Sequence, residues 1–289
     1  MNQHLVSEVY LKQFGYQDAN AQWRVCVLEK SNFHLMAKIN KRWIAHKSIG
    51  SLLAKNDFFD FDGHKGDPFV TIIESANSEV ESRLPELYRE LASRGPLSDR
   101  GESILAHFAS NLFVRTSYFD AWLTDLIEVG AFERLLDECL WYHADADQTM
   151  FKKMMNRSDF TGGKNRTNML RFLFWDYFLH RLGDFQYYIL EPDPGKFWIT
   201  CDNPVVMLHH VNEFSVIAFE TEIIFPLNSQ KLVLFKMEKS ANTSGIFDGA
   251  IFKGTTVAGG ELTEEINHII SGTAEDIVII PHMQDHREF

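Results

Sequence analysis

Near residue 184 the apolar residues of this chain change their period, and no other feature limits the possible fold as strongly. Before it, residues 68–92 and 100–118 carry apolar side chains at helical spacing, the second stretch almost all the way round, and further helices are expected within 120–138, at 149–155 and over 168–182. From Phe185 onward come the short β-type runs "FQYYIL", "KFWIT", "VVMLHH", "SVIAF", "TEIIFPL" and "KLVLF", parted by Pro, Gly, Asn and Asp. A last helix is expected over "LTEEINHIISG", with Thr263 ahead of two acids and Gly272 after the last apolar residue, and "DIVIIP" closes as a strand. These patterns predict an α+β fold, a helical middle region packed on a largely antiparallel C-terminal sheet. One domain is expected over 1–289, with sub-regions 1–67, 68–184 and 185–289.

The N-terminal sub-region reads as a helix plus a hairpin. Leu5, Val9, Tyr10, Leu11 and Phe14 suit a helix of about three turns that stops at Gly15. "WRVCVLEK" alternates as a strand does, and "HLMAKINKR" is expected to return beside it. "KSIGSLLAKNDFFDFDG" follows as a short helix running into an aromatic strand.

With 45% hydrophobic residues and 24 Phe the chain can bury a sizeable core, so a folded protein is expected. The apolar-rich segment 168–182 is interrupted by Arg171, Asp176, His180 and Arg181 and falls short of the roughly 20 apolar residues of a membrane span. The start lacks a basic, then apolar, then small-residue pattern, so no signal peptide or membrane partner is expected and a cytoplasmic location is the default. Cys26, Cys139 and Cys201 are far apart and odd in number, which argues for buried reduced thiols over a disulfide framework.

A net charge of −12 disfavours broad adhesion to nucleic acid, whose affinity comes mainly from neutralising phosphates, while leaving room for a local basic groove. In "KINKRWIAHK", Lys38, Lys41, Arg42 and Lys47 surround Trp43. Such a stretch either tracks a nucleic-acid backbone and stacks a base or is a solvated hairpin face over a core tryptophan. Lys152, Lys153, Arg157, Lys164 and Arg166 form a second basic stretch. "TGGKNRT" lacks the spacing of a phosphate-wrapping loop, no G-x-S-x-G elbow is present, and no cysteine has an evident histidine partner. The pairs His209/His210 and His282/His286 read as surface histidines.

Several motifs together resemble a known family. "NQHLVSEVYLKQFG", "KSIG" followed by "NDFF", a helix containing "VES", a buried helix reaching "VRTS", "WITCDNPVV", "IIFPLNSQKLVLF" and "EINHIISGTAEDIVI" are similar, in order and spacing, to DUF4238, a domain of unknown function. The resemblance spans nearly the whole chain. His4, Tyr10, Leu11 and Phe14 match the family's opening, with Ser7 in place of a proline. The family's Ser-Asp-Asn-Pro centre becomes Cys201, Asp202, Asn203 and Pro204, so a hydroxyl is not essential at the first position here. The resemblance implies candidate positions and no reaction.

Asp202 and Asn203 break an apolar run, and two readings stay open. Short polar side chains before proline are turn chemistry, yet a strand end is also where a rigid sheet presents a carboxylate and an amide to a cleft. Glu74, Asn77 and Glu81 share one face of the first long helix, and His107, Asn111 and Arg115 form a polar stripe along the second. As a brace, Arg115 pairs with Asp202 or Glu81, and Asn111 and His107 complete the hydrogen bonds. As an active site, Glu74, Glu81 and Asp202 bind Mg²⁺ or Mn²⁺, His4 serves as acid or base, Arg115 holds a phosphate, and Asn203 presents its amide to the cleft next to Asp202. The active-site reading, a metal-assisted phosphodiester hydrolase, nuclease-like, acting on a nucleic acid or a phosphorylated small molecule, is the one the sequence favours, because a polar set drawn from both ends and the middle of a chain more often converges on a site than on a brace. The alternative is a non-catalytic ligand-binding or protein-interaction module whose polar cluster is structural.

Overall fold

The computed structural model describes residues 2–33, 43–62, 68–93, 96–142, 163–208, 221–236 and 255–282. In chain order the N-terminal part holds β1 (Asn2–His4), α1 (Glu8–Leu11), β2 (Tyr16–Gln17), β3 (Trp23–Glu29), α2 (Lys30–Phe33), β4 (Ala45–Ser48) and β5 (Ala54–Asn56). The expected three-turn opening helix is only α1, because residues 2–4 pair antiparallel with β5 instead, Asn2 opposite Asn56 and His4 opposite Ala54. Gly15 ends this turn for a steric reason: a Cβ there would lie 2.8 Å from the carbonyl oxygen of Arg24. β3 forms as its alternation predicts, and its hairpin partner is β4. The expected return strand at 34–42 lies outside the described residues. Phe59 and Phe61 are buried but not in a strand, and Gln3 Oε1 accepts the Phe59 N–H at 2.7 Å.

The middle of the chain is helical, with α3 (Ile72–Ala92), α4 (Asp99–Arg115), α5 (Ser117–Glu128), α6 (Phe132–Tyr142) and α7 (Gly163–Leu182). On α3 the buried residues Ile73, Asn77, Val80, Leu84, Leu87 and Leu91 recur at three- and four-residue steps. From Phe108 to Arg115 every residue of α4 is buried, since α4 packs against both α3 and α7. Ser98 caps α4 by accepting the Gly101 N–H at 3.1 Å. The expected helix at 149–155 lies outside the described residues. Among the described residues no helix is long and apolar enough to cross a membrane.

The β-rich part contributes β6 (Gln186–Glu191), β7 (Thr200–Cys201), β8 (Val206–Leu208), β9 (Glu222–Asn228), β10 (Lys231–Lys236), β11 (Thr255–Val257), α8 (Gly260–Thr273) and β12 (Ile277–Ile280). One sheet has the order β11-β6-β10-β9-β8, antiparallel except for the β11–β6 pair. The other has the order β2-β3-β12-β7, with β4 also on β3, so it joins the two ends of the chain. Thr263 lies inside α8 rather than at its cap, which is Gly259. "KFWIT" is a strand only at Thr200, and "SVIAF" lies outside the described residues.

These strands bury both faces, and so they read as unbroken apolar runs. Val233 and Phe235 of β10 join the helices in one core, whereas Leu232 and Leu234 face a second core that α8 covers with Ile266 and Ile270. β3 divides likewise, Val25 and Val27 to the first core and Cys26 and Leu28 to the second. The fold is α+β, as the change of period predicts.

Candidate functional site

Asp202 sits just past the end of β7, where the chain turns toward Pro204. Its carboxylate is 6% exposed and faces the link between α8 and β12. Oδ1 accepts the Glu275 N–H at 2.9 Å, and Oδ2 accepts those of Asp276 at 2.8 Å and Ile277 at 3.1 Å. Burial pushes this carboxyl above its ordinary range, against the pull of the three N–H donors. Asn203 clamps two further segments: its amide donates to the Thr273 carbonyl at 3.0 Å, and its oxygen accepts the Tyr118 N–H at 3.2 Å. Both residues tie a strand end to a loop and to the start of α5.

Arg115 ends α4, 2% exposed, where α3 and β1 meet. Nη1 donates to Glu81 at 2.7 Å and to the Asn111 side-chain oxygen at 3.3 Å, Nη2 donates to the His4 carbonyl, and the guanidinium lies 5.5 Å from the Phe59 ring centroid. Asn111 passes the network on to the Asn77 oxygen at 2.7 Å, and Asn77 donates weakly to Glu74 at 3.4 Å. Burial raises the Glu74 carboxyl above its ordinary value, with Arg115 pulling the other way. His4 Nε2 lies 3.3 Å from Glu8 Oε1 but makes no hydrogen bond, and the buried Ser7 hydroxyl also has no protein partner.

A third constellation forms where β4, β3 and β12 lie side by side. Cys26 on β3 stands opposite His46 on β4 and opposite Ile280 on β12, and His282 follows two residues later on the same face. The Cys26 sulfur lies 3.7 Å from Nδ1 of His46 and 3.7 Å from Nδ1 of His282. Tyr16 stacks on His282 with ring centroids 3.8 Å apart and hydrogen-bonds His46 Nδ1. Burial pushes the Cys26 thiol up to about 11. Among the described residues this is the one group of three His, Cys, Asp or Glu side chains whose ligand atoms all lie within 4.8 Å of one another.

Comparison with known families places the chain. The family described as "Protein of unknown function (DUF4238)" matches residues 2–281. The chain belongs to the DUF4238 family. No match was found among curated proteins or among solved structures.

In this DUF4238 protein the sequence candidates divide between two separate hydrogen-bond networks. Glu74, Glu81 and Arg115 come together with Asn77, Asn111 and the main-chain carbonyl of His4, whose imidazole takes no part, whereas Asp202 and Asn203 bond to the 273–277 link and to Tyr118. Glu74, Glu81 and Asp202 are therefore not a group with converging ligand atoms. His107 does not complete the Arg115 network, because its ring bonds the Ser103 carbonyl one turn back. Lys47 is exposed on β4, while Lys38, Lys41 and Arg42 lie outside the described residues, as do Lys152, Lys153, Arg157, His209, His210 and His286.

Sequence reasoning missed two features. Arg171 is 2% exposed, donates to Asp120 and to the Val114 carbonyl, and packs on Phe58 and Phe119. The other is the histidine partnership of Cys26, which needed the register of three strands rather than local spacing.

Proposed function

We propose that this DUF4238 protein is a non-catalytic ligand-binding or protein-interaction module in which the conspicuous polar residues are structural. The observation that carries this reading is the enclosure of Asp202: at 6% exposure its two oxygens accept three main-chain N–H groups, which take three of the four acceptor sites of the carboxylate and aim them at the fold. Arg115 supports it, since both terminal nitrogens already donate to the fold. A cytoplasmic setting belongs to the same proposal, in keeping with three cysteines that are all buried free thiols.

Thermal melting of the wild type, Asp202→Ala and Arg115→Ala, each with and without Mg²⁺ or Mn²⁺, tests it. The module reading expects both variants to melt several degrees lower and neither ion to move the wild type. A wild type that gains stability with the ion, beside an Asp202→Ala variant that keeps its metal-free melting point and loses that gain, overturns it.

One observation favours a second reading, the metal-assisted phosphodiester hydrolase acting on nucleic acid or a phosphorylated small molecule. Glu74 is a half-buried carboxylate with a raised proton affinity and a single weak side-chain donor, near Arg115 and Glu81. Such a group suits general acid–base work or one oxygen ligand to Mg²⁺ or Mn²⁺. Mn²⁺-dependent cleavage of single-stranded DNA or RNA that Glu74→Gln abolishes without lowering the melting temperature would establish it; absence of cleavage in the wild type rules it out.

A further inference from the structure

Three strands set the geometry of the Cys26 cluster, so it is a product of the fold rather than of a surface loop. Antiparallel pairing places Cys26 directly opposite His46 on one side and Ile280 on the other. Side chains alternate along a strand, so His282, two residues past Ile280, returns to the Cys26 face, as does Tyr16 through its pairing with Arg24. The result is one sulfur and two imidazole nitrogens converging on a common point.

The spacing suits a metal ion. A tetrahedral zinc with bonds of about 2.3 Å to sulfur and about 2.05 Å to nitrogen holds those two atoms about 3.6 Å apart. The observed separations are 3.7 Å to each histidine. We propose that Cys26, His46 and His282 bind one divalent transition-metal ion of the zinc class; among the described residues no fourth His, Cys, Asp or Glu joins them.

The donor set selects that class. Thiolate and imidazole are poor ligands for Mg²⁺ or Ca²⁺, which take oxygen, and good ones for Zn²⁺ and Co²⁺. On binding, the thiol proton leaves to solvent as the metal–sulfur bond forms, and no electron is transferred. Cys26 is buried, His282 is half-buried and His46 is exposed, so the site reaches from the core to the surface. The Tyr16 ring stacks on the His282 imidazole from outside the coordination sphere, and in the metal-free protein its hydroxyl bonds His46 Nδ1, the atom that would ligate. When the metal takes His46 Nδ1, that hydroxyl must turn away or become the fourth ligand.

An ion held there ties β3 and β4 to the segment after β12. This goes beyond the module reading and does not depend on it, because it involves none of Glu74, Arg115 and Asp202 and concerns a different class of ion.

The test is a Co²⁺ titration of the full chain, made without an affinity tag and stripped with a chelator. One equivalent is expected to give a thiolate-to-cobalt charge-transfer band in the near ultraviolet and visible bands of a four-coordinate ion, both bleached by Zn²⁺. Cys26→Ser should remove the charge-transfer band. His46→Ala, a change at an exposed position, should keep the metal-free melting point and lose the rise in melting temperature that Zn²⁺ gives the wild type. A wild type without the band, a band that survives in Cys26→Ser, or a Zn²⁺ shift unchanged in His46→Ala overturns the proposal.

Discussion

At the scale of single residues, Asp202 is a buried and Glu74 a half-buried carboxylate, both with raised proton affinity, and they differ in what surrounds them. Three N–H groups converge on Asp202 and need acceptors on both oxygens. Asp202→Asn turns one oxygen into a donor that faces donors, so it should destabilise the fold nearly as much as Asp202→Ala, by about 2–4 kcal/mol in denaturant titration. An asparagine variant as stable as the wild type would show that the three bonds contribute little. Glu74 accepts only one weak side-chain bond, and burial dominates its shift. Because the folded state holds this proton more tightly than the unfolded chain, its contribution to stability is complete below the ordinary value of 4.5 and is lost as pH rises through the higher folded value. Glu74→Gln should therefore gain on the wild type in melting temperature as pH rises from the acid range, then level off. A gap between the two that stays constant with pH would place Glu74 in water. The sequence gives reason to single out both residues, since a charge on an apolar run must find partners, but it does not show whether those partners are backbone, side chain or ligand.

At the scale of elements, Arg115 is where α4, α3 and β1 are fixed to one another. Its fork reaches Glu81 on α3 and the carbonyl of His4 on β1, and Asn111 carries the contact on to Asn77. Arg115→Ala strands acceptors on three elements, at a cost of about 2–4 kcal/mol after allowing for the partial exposure of Glu81. In a double-mutant cycle with Asn77→Ala the two changes should cost less together than their sum, by about 1 kcal/mol or more, because they break one chain of bonds. Strict additivity would mean that the two asparagines brace α3 and α4 without Arg115. This network was largely legible in the sequence: the faces of α3 and α4 follow from helical spacing, and Glu81 is one of the two carboxylates the sequence offers Arg115. The part played by β1 was not legible, because Asn2–His4 forms a strand only through its pairing with β5, a contact across more than fifty residues that no local pattern encodes.

At the scale of the molecule, the sheet β2-β3-β12-β7 closes the chain on itself. The strands β3 and β12 were each legible from their apolar runs, but their pairing was not, and with it went the Cys26 cluster and the target of Asp202. Periodicity reports which residues face a core and is silent about which strand lies alongside. The pairing has a direct consequence. β12 lies between β3 and β7, Val278 and Ile280 are buried in the core that α8 covers, and Ile279 belongs to the core of the helices. A chain ending at Asp276 would lose all three apolar side chains, leave the inner edges of β3 and β7 without partners, and remove one of the three donors to Asp202. Each buried aliphatic side chain contributes on the order of 2 kcal/mol, and the loss of three approaches the whole stability of an ordinary domain. This truncation should abolish the cooperative melting transition and the near-ultraviolet circular dichroism that reports fixed aromatic packing, while part of the helical signal remains. A truncated chain that melts cooperatively near the wild-type temperature would mean that β12 is an addition to a sheet already complete without it.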